Sequence, residues 1–160
     1  MATPTNLPAS FVSGEILTAA NMNLLRGGFR VLQVVTATTT TSATASDATF
    51  IDSNLTVTIT PQFNTSKIFV LLNQSFYVDT AGAGVAVRLV RGSTTLQTQT
   101  DPIYSPTPLV GNVSFLYLDS PATTSATTYK TTFNRKSGTG TTQAQINSNP
   151  ANITVFEISA

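Results

Sequence analysis

The side chains that most often carry out catalysis or bind metals are scarce in this sequence. It contains no His and no Cys, so the commonest general base, the thiol nucleophile and the usual transition-metal ligands are missing. Nucleophilic triads built on His cannot be assembled. The sequence therefore predicts a protein that is not an enzyme, with no metal and no cofactor.

Carboxylates are the remaining candidates for acid–base chemistry, because two of them suffice for glycoside hydrolysis. The chain supplies seven, each isolated in sequence: Glu15, Asp47, Asp52, Asp79, Asp101, Asp119 and Glu157. Several lie beside turn residues, where Asp usually accepts hydrogen bonds from local backbone, so we favour a turn role over catalysis or calcium binding. A pair could still meet in the folded chain, which leaves a carbohydrate-active enzyme as the weakest hypothesis.

A proline-rich segment is the best candidate for contact with a partner. It reads Asp101-Pro102-Ile103-Tyr104-Ser105-Pro106-Thr107-Pro108 and is predicted to be an exposed, stiff loop. Pro102, Tyr104 and Pro106 are the expected contact residues. The tyrosines and phenylalanines at alternating strand positions are expected to pack in the core instead.

Composition excludes several other function classes. Charged residues make up 9% of the chain, the net charge is +1 and the cations are scattered, so no nucleic-acid partner is expected. The longest clear apolar run, 68–72, is too short to cross a membrane. The first eight residues lack the cationic start and apolar stretch of a signal peptide, so we expect synthesis in the cytoplasm without export.

The elements that must position these residues begin with an arm and one short helix. Residues 1–16 contain Pro4, Pro8 and Gly14 without a sustained period, which predicts an extended arm. Thr18 is a suitable N-cap for a helix over 18–26, and Gly27-Gly28 can end it. A helix this short is marginal alone, so it is expected to dock on the sheet or on another subunit.

From residue 29 onward the pattern changes to β-branched and aromatic runs separated by turns, and Ser with Thr supplies roughly a quarter of the chain. This predicts one all-β domain over 29–160, an antiparallel, jelly-roll-like sandwich. The segment Gly82-Ala83-Gly84 is expected to be a hairpin connection, because the further features of a dinucleotide loop are missing. The predicted strands are 29–37, 48–51, 55–60, 67–78, 84–91, 93–99, 109–118, 127–135, 141–147 and 151–158.

Two segments depart from simple alternation. Residues 67–72 are apolar on both faces for most of their length, so this strand is either central or covered on its second face, for which another copy of the chain is the expected cover. The Ser- and Thr-rich stretch 36–46 is interpreted as an exposed edge or a long loop of the same domain, in preference to a disordered linker.

The segment Gly14-Glu15-Ile16-Leu17-Thr18-Ala19-Ala20-Asn21-Met22-Asn23 resembles the G-x-x-L-T-A-A-x-M-N signature near the start of tailed-bacteriophage tail-fibre and virion-surface proteins. The resemblance extends over most of the chain. It implies a virion component, commonly a homotrimer, made in the host cytoplasm and attached through its N-terminal region. Within residues 1–28, six apolar side chains and one cation are the expected attachment residues: Leu7, Phe11, Leu17, Met22, Leu24, Leu25 and Arg26.

Two hypotheses about place in the particle remain open. The preferred one is a capsid decoration (cement) protein that binds the major capsid protein or another virion protein. The alternative is a short tail fibre or adhesin that binds a host surface receptor. Tail fibres are often longer and carry repeats or coiled-coil shafts, which this chain lacks.

Overall fold

The computed structural model describes residues 30–159, and these form an antiparallel β-sandwich of a six-stranded and a four-stranded sheet. The strands are β1 (Val31–Thr39), β2 (Ala43–Ala45), β3 (Ile51–Ile59), β4 (Lys67–Val78), β5 (Gly84–Arg91), β6 (Thr94–Tyr104), β7 (Leu109–Asp119), β8 (Thr127–Ser137), β9 (Thr142–Ala144) and β10 (Ala151–Ile158). A short 3-10 segment, Ile146–Ser148, precedes β10. Within the described range no helix is long and apolar enough to span a bilayer.

The strand order is that of a jelly roll. In the first sheet, β4 pairs with β7 along one edge. Along its other edge β4 pairs with two strands that follow one another, β10 and then β9. β1 pairs with the far edge of β10, and β2 pairs with the far edge of β9. The second sheet has the order β3-β8-β5-β6. Counting only the eight long strands in chain order, the two sheets read 1-8-3-6 and 2-7-4-5, which is the double-sheet arrangement predicted from the sequence.

The core lies between the sheets and uses the inward residues of each alternating strand. Leu55, Val57 and Ile59 on β3 are buried, as their period-two pattern predicts. Phe76 of the first sheet meets Phe133 of the second with ring centroids 5.3 Å apart. The two sheets are therefore held together by interdigitating aromatic and aliphatic side chains.

Three predicted strands, 67–78, 84–91 and 151–158, coincide with β4, β5 and β10. The predicted strands 48–51 and 55–60 are one strand, β3, whose register shifts between Asp52 and Thr56. The predicted strand 141–147 is shorter, because the chain leaves β9 after Ala144 with Gln145 at a φ of 51°. The stretch 36–46 forms the end of β1 and the whole of β2 at the sheet edge, which confirms the edge interpretation.

Two connections differ from expectation. Residues 79–84 do not close a hairpin, because β4 and β5 belong to different sheets; the segment is a crossover. The proline-rich loop is shorter than predicted, since β6 continues to Tyr104. Asp101, with a φ of 52°, lies where the β5–β6 register shifts, between Thr100 and Ile103, so a bulge absorbs Pro102, which has no N–H to give to the ladder.

Candidate functional site

An apolar surface lies on the outer face of the six-stranded sheet. Strand register aligns Val34, Phe156, Phe69 and Leu118 in one row across β1, β10, β4 and β7. These positions alternate with core residues along each strand, so they are on the solvent side. The row and its neighbours form what we term the apolar patch: Val31, Val34, Phe69, Leu71, Leu116, Leu118, Phe156 and Ile158.

The patch is accessible in the described structure. Leu116 is 64% exposed, Leu118 57% and Val34 52%. Phe69 and Phe156 are half-buried against each other, with ring centroids 6.0 Å apart. Single exposed apolar side chains are common on proteins, but a contiguous group on one sheet face indicates an interaction surface.

Polar pairs limit the patch on one side. In the next rows along the strands, the Thr36 and Thr154 hydroxyls lie 3.0 Å apart and the Thr38 hydroxyl donates to Asn152 Oδ1 at 2.8 Å. On the neighbouring strands, Asn73 Nδ2 donates to Ser114 Oγ at 2.8 Å. These groups satisfy one another, so the outer face is divided into an apolar half and a self-paired polar half.

A polar pair also closes the opposite side of the patch, where Lys67 Nζ donates to Ser120 Oγ at 2.7 Å. The outer face of the four-stranded sheet is different throughout. It carries a Thr58–Thr128 hydroxyl pair at 2.8 Å and an ion pair between Lys130 Nζ and Asp52 Oδ1 at 2.7 Å. The outer face of the four-stranded sheet is thus polar, whereas about half of the outer face of the six-stranded sheet is apolar and could contact another protein surface.

The chain enters the described structure at the edge of the patch. The Arg30 amide donates to Ser159 Oγ at 3.0 Å, and the Ser159 amide donates to the Arg30 carbonyl at 2.9 Å. Val31 then pairs with Ile158, and both belong to the patch. The described part of the chain therefore begins beside this surface.

The predicted attachment residues Leu7, Phe11, Leu17, Met22, Leu24, Leu25 and Arg26 lie outside the described residues, as does the predicted helix. The predicted partner residues Pro102, Tyr104 and Pro106 are all exposed, and Tyr104 is 59% exposed. Leu109 and Val110, at 42% and 48% exposure, begin the next strand after this turn. This end of the sandwich carries a second, smaller apolar group.

Two of the isolated carboxylates hold turns, as their neighbours predicted. The Thr49 amide donates to Asp47 Oδ1 at 2.7 Å and lowers the pKa of Asp47. Asp79 accepts from the Thr141 hydroxyl and amide, each at 2.7 Å, and these bonds lower the pKa of Asp79. Both carboxylates stabilise backbone between strands.

Asp119 joins the two sheets from within. Both of its carboxylate oxygens accept from Arg91 Nη1 at 2.8 Å, and Oδ2 accepts from the buried Tyr129 hydroxyl at 2.7 Å. Burial, and then the hydrogen bond to Asp119, raises the pKa of Tyr129. This network connects β7 of one sheet with β5 and β8 of the other.

Glu157 is buried and accepts from Gln33 Nε2 at 2.6 Å and from the Gln62 amide at 2.7 Å. Burial alone would raise the pKa of Glu157, but these hydrogen bonds outweigh it and the pKa is lowered. Among residues 30–159, no three His, Cys, Asp or Glu side chains come together to hold a metal ion. Asp47, Asp79, Asp119 and Glu157 therefore stabilise the folded structure through these hydrogen bonds.

Sequence reasoning identified only one strand of the patch. The run 67–72 is apolar on both faces, which predicted that Phe69 and Leu71 would need a cover on the outer face. Leu116, Leu118 and Phe156 were not predicted, because they alternate with core residues in strands whose sequence does not differ from that of other strands. Only the non-local register of four strands brings them together.

Comparison with known proteins gives distant likenesses only. No protein-family model matches the chain, and no curated protein matches it. The VP2 subviral particle of infectious bursal disease virus is 14% identical with a TM-score of 0.44, over 80% of this chain and 38% of that one. The Gt strain structure of the same virus is 12% identical with a TM-score of 0.45, over 81% and 39%.

Another similar structure is a Stig cyclase, Fisc from Fischerella sp. TAU, which is 13% identical with a TM-score of 0.36, over 66% of this chain and 54% of that one. The chain thus spans less than two fifths of the two viral chains.

Proposed function

We propose that this chain is a structural protein of a tailed-bacteriophage particle, a capsid decoration (cement) protein that forms a homotrimer and attaches through residues 1–28. The observation that carries the proposal is the apolar patch, together with the start of the described chain at Arg30 on its edge. Together they make one side of the sandwich an attachment side. The polar sheet faces outward.

The chemistry of the chain supports a passive role. The sequence has neither His nor Cys, and Asp47, Asp79, Asp119 and Glu157 are each engaged by hydrogen bonds within the fold. A carboxylate that acts as a general acid needs a raised pKa, whereas the pKa values of Asp47, Asp79 and Glu157 are lowered. These groups suit stability, not turnover.

The protein would act by burying apolar surface across joints between subunits. Burial contributes about 25 cal/mol per Å² before the costs of association are subtracted. A cement protein needs many such contacts at once, and a trimer supplies three attachment sides together. No reactive group is required.

Location on the particle tests the proposal directly. Labelled antibody against the purified protein should decorate the phage head, and the protein in solution should have about three times the 16.8 kDa mass of one chain. A variant lacking residues 1–28 should be lost from particles while its circular dichroism still shows a folded β domain. Absence of the protein from assembled phage would refute the proposal.

A short tail fibre or adhesin is the second candidate, and the exposed Tyr104 between Pro102 and Pro106 favours it. Tyr104 is the last residue of β6, and exposed aromatic side chains often supply much of the binding energy at protein contacts. Antibody signal at the tail would support this reading. Tyr104→Ser should then slow adsorption of phage to host cells, whereas Thr100→Ser, at an exposed position on the same strand, should not.

A further inference from the structure

We infer that the apolar patch is an intramolecular docking site, and that its occupant is the helix predicted over residues 18–26 of the same chain. This goes beyond the proposed virion role, because the docking belongs to the free protein. It rests on three features: the reach of the connecting segment, the size of the patch and the spacing of apolar side chains in the helix.

The connecting segment is short enough to keep the helix beside the patch. Residues 27–29 separate the predicted helix from Arg30, whose neighbour Val31 is already part of the patch. Three extended residues span about 10 Å, which is enough to turn back onto the sheet and little more. Gly27 and Gly28 lack the Cβ that would oppose such a reversal.

The dimensions of helix and patch agree. The eight residues that follow the N-cap are about 12 Å long at 1.5 Å each. The row Val34, Phe156, Phe69 and Leu118 crosses four strands, so three strand spacings give about 14 Å. The helix therefore fits across the strands, with its C-terminal end by β1 and its N-terminal end by β7.

The apolar side chains of the segment fall on one side. If the helical path is continued back to Leu17, which precedes the N-cap, then at 100° per residue Leu17, Leu24 and Leu25 lie within about 100° of one another. Asn21 shares this arc, and Asn23 lies on the opposite side. Aliphatic side chains on a face of Phe and Leu are the usual contact between a helix and a sheet. The predicted polarity places Leu25 near Val34 and Leu17 near Leu118.

Tethering favours this occupant over a second copy of the chain. A segment joined by a short linker acts at an effective concentration of about a millimolar, far above the micromolar concentration of a second copy in dilute solution. In the free protein a docked helix would leave residues 1–16 uncovered. Attachment to a particle through the patch and residues 1–28 would require the helix to leave the patch.

Paired cysteines in the full chain test the inference, because the native sequence has no Cys. The pairs are L17C with L118C, and L25C with V34C; the matched control is N23C with L118C. A short bis-maleimide is added at low micromolar protein concentration, and products are identified by mass. Circular dichroism checks that each variant is folded.

We expect the first two pairs to form intramolecular cross-links at least tenfold faster than the control. Intermolecular cross-links from L17C with L118C would overturn the inference and assign the patch to a second copy. Equal rates for Leu17 and Asn23 pairs would also overturn it. Antibody location on particles does not depend on this result, so failure of the docking and failure of the virion role are distinguishable.

A second measurement needs no cross-link. Leu24→Asp in the full chain should release the helix and increase the fluorescence of a hydrophobic dye several-fold, because the patch is uncovered. Asn23→Asp adds the same charge on the opposite side and should leave the fluorescence unchanged. The same response from both variants would contradict a helix bound by its leucines.

Discussion

Replacing Asp119 with Ala should destabilise the sandwich by about 3 kcal/mol. The Tyr129 hydroxyl is buried and donates to Asp119, so the variant leaves it without that acceptor, at a cost of about 1–3 kcal/mol. Arg91 loses both carboxylate contacts, but its side chain is 27% exposed, which limits that loss to about 1 kcal/mol because water partly replaces the carboxylate.

Urea unfolding of the full chain at pH 7, followed by circular dichroism, measures this difference. The control is Asp52→Ala, which removes the Lys130 ion pair on the outer face; Asp52 is 59% exposed, so its loss should cost under about 0.5 kcal/mol. Tyr129→Phe should cost about 1 kcal/mol, since Asp119 keeps Arg91. If Asp119→Ala costs no more than Asp52→Ala, the network does not join the sheets as we argue.

Three further outcomes are expected. Glu157→Gln should cost about 1–2 kcal/mol of unfolding free energy at neutral pH. Because the pKa of Glu157 in the folded protein is below the ordinary 4.5, this stabilisation is present above pH 4.5 and should fade on acidification. A difference in urea midpoints that does not change with pH would contradict this. Gly111→Ala would place a Cβ 2.9 Å from both Cδ1 and Cγ1 of Ile103, so we expect a loss of about 1–3 kcal/mol. Ile103→Ala removes both atoms, so in thermal melts the double variant should lose less stability than the two single variants added together, and strictly additive losses would rule out this clash. The raised pKa of Tyr129 predicts stability that is present below pH 10 and lost above it, and ultraviolet titration should show Tyr129 ionising only as the fold is lost.

Most strands could be predicted because local sequence determines them. In β4, β5 and β10, runs of β-branched and aromatic residues end at turn residues, and their bounds match the prediction. Inward residues such as Val85, Val87 and Leu89 follow from alternation and are buried. The jelly-roll class follows from strands of this kind with little helix.

The departures have non-local causes. Asn54, at a φ of 65°, allows β3 to continue through an irregular register that local propensity reads as a break. Pro102 reads as part of a loop, but a bulge keeps it in an edge strand. The hairpin expected at residues 82–84 failed because sequence shows where a turn is, not which sheet the next strand joins.

The candidate site was less accessible to sequence reasoning than the fold. Tyr104 could be identified as exposed because prolines surround it. The apolar patch could not, since Val34 and Leu118 are 84 residues apart in sequence and become neighbours of Phe156 and Phe69 only through the order of the sheet.

The central place of β10 has a consequence for biosynthesis. Ile158 pairs with Val31 and Lys67, which are made far earlier. A ribosome must therefore release residues 151–158 before the first sheet can close, and until then one edge of β4 has only β9 to pair with. Contacts this distant in sequence slow folding and leave open strand edges exposed to aggregation. We expect nascent chains stalled before residue 151 to depend on chaperones, and full-length chains to be released from that dependence.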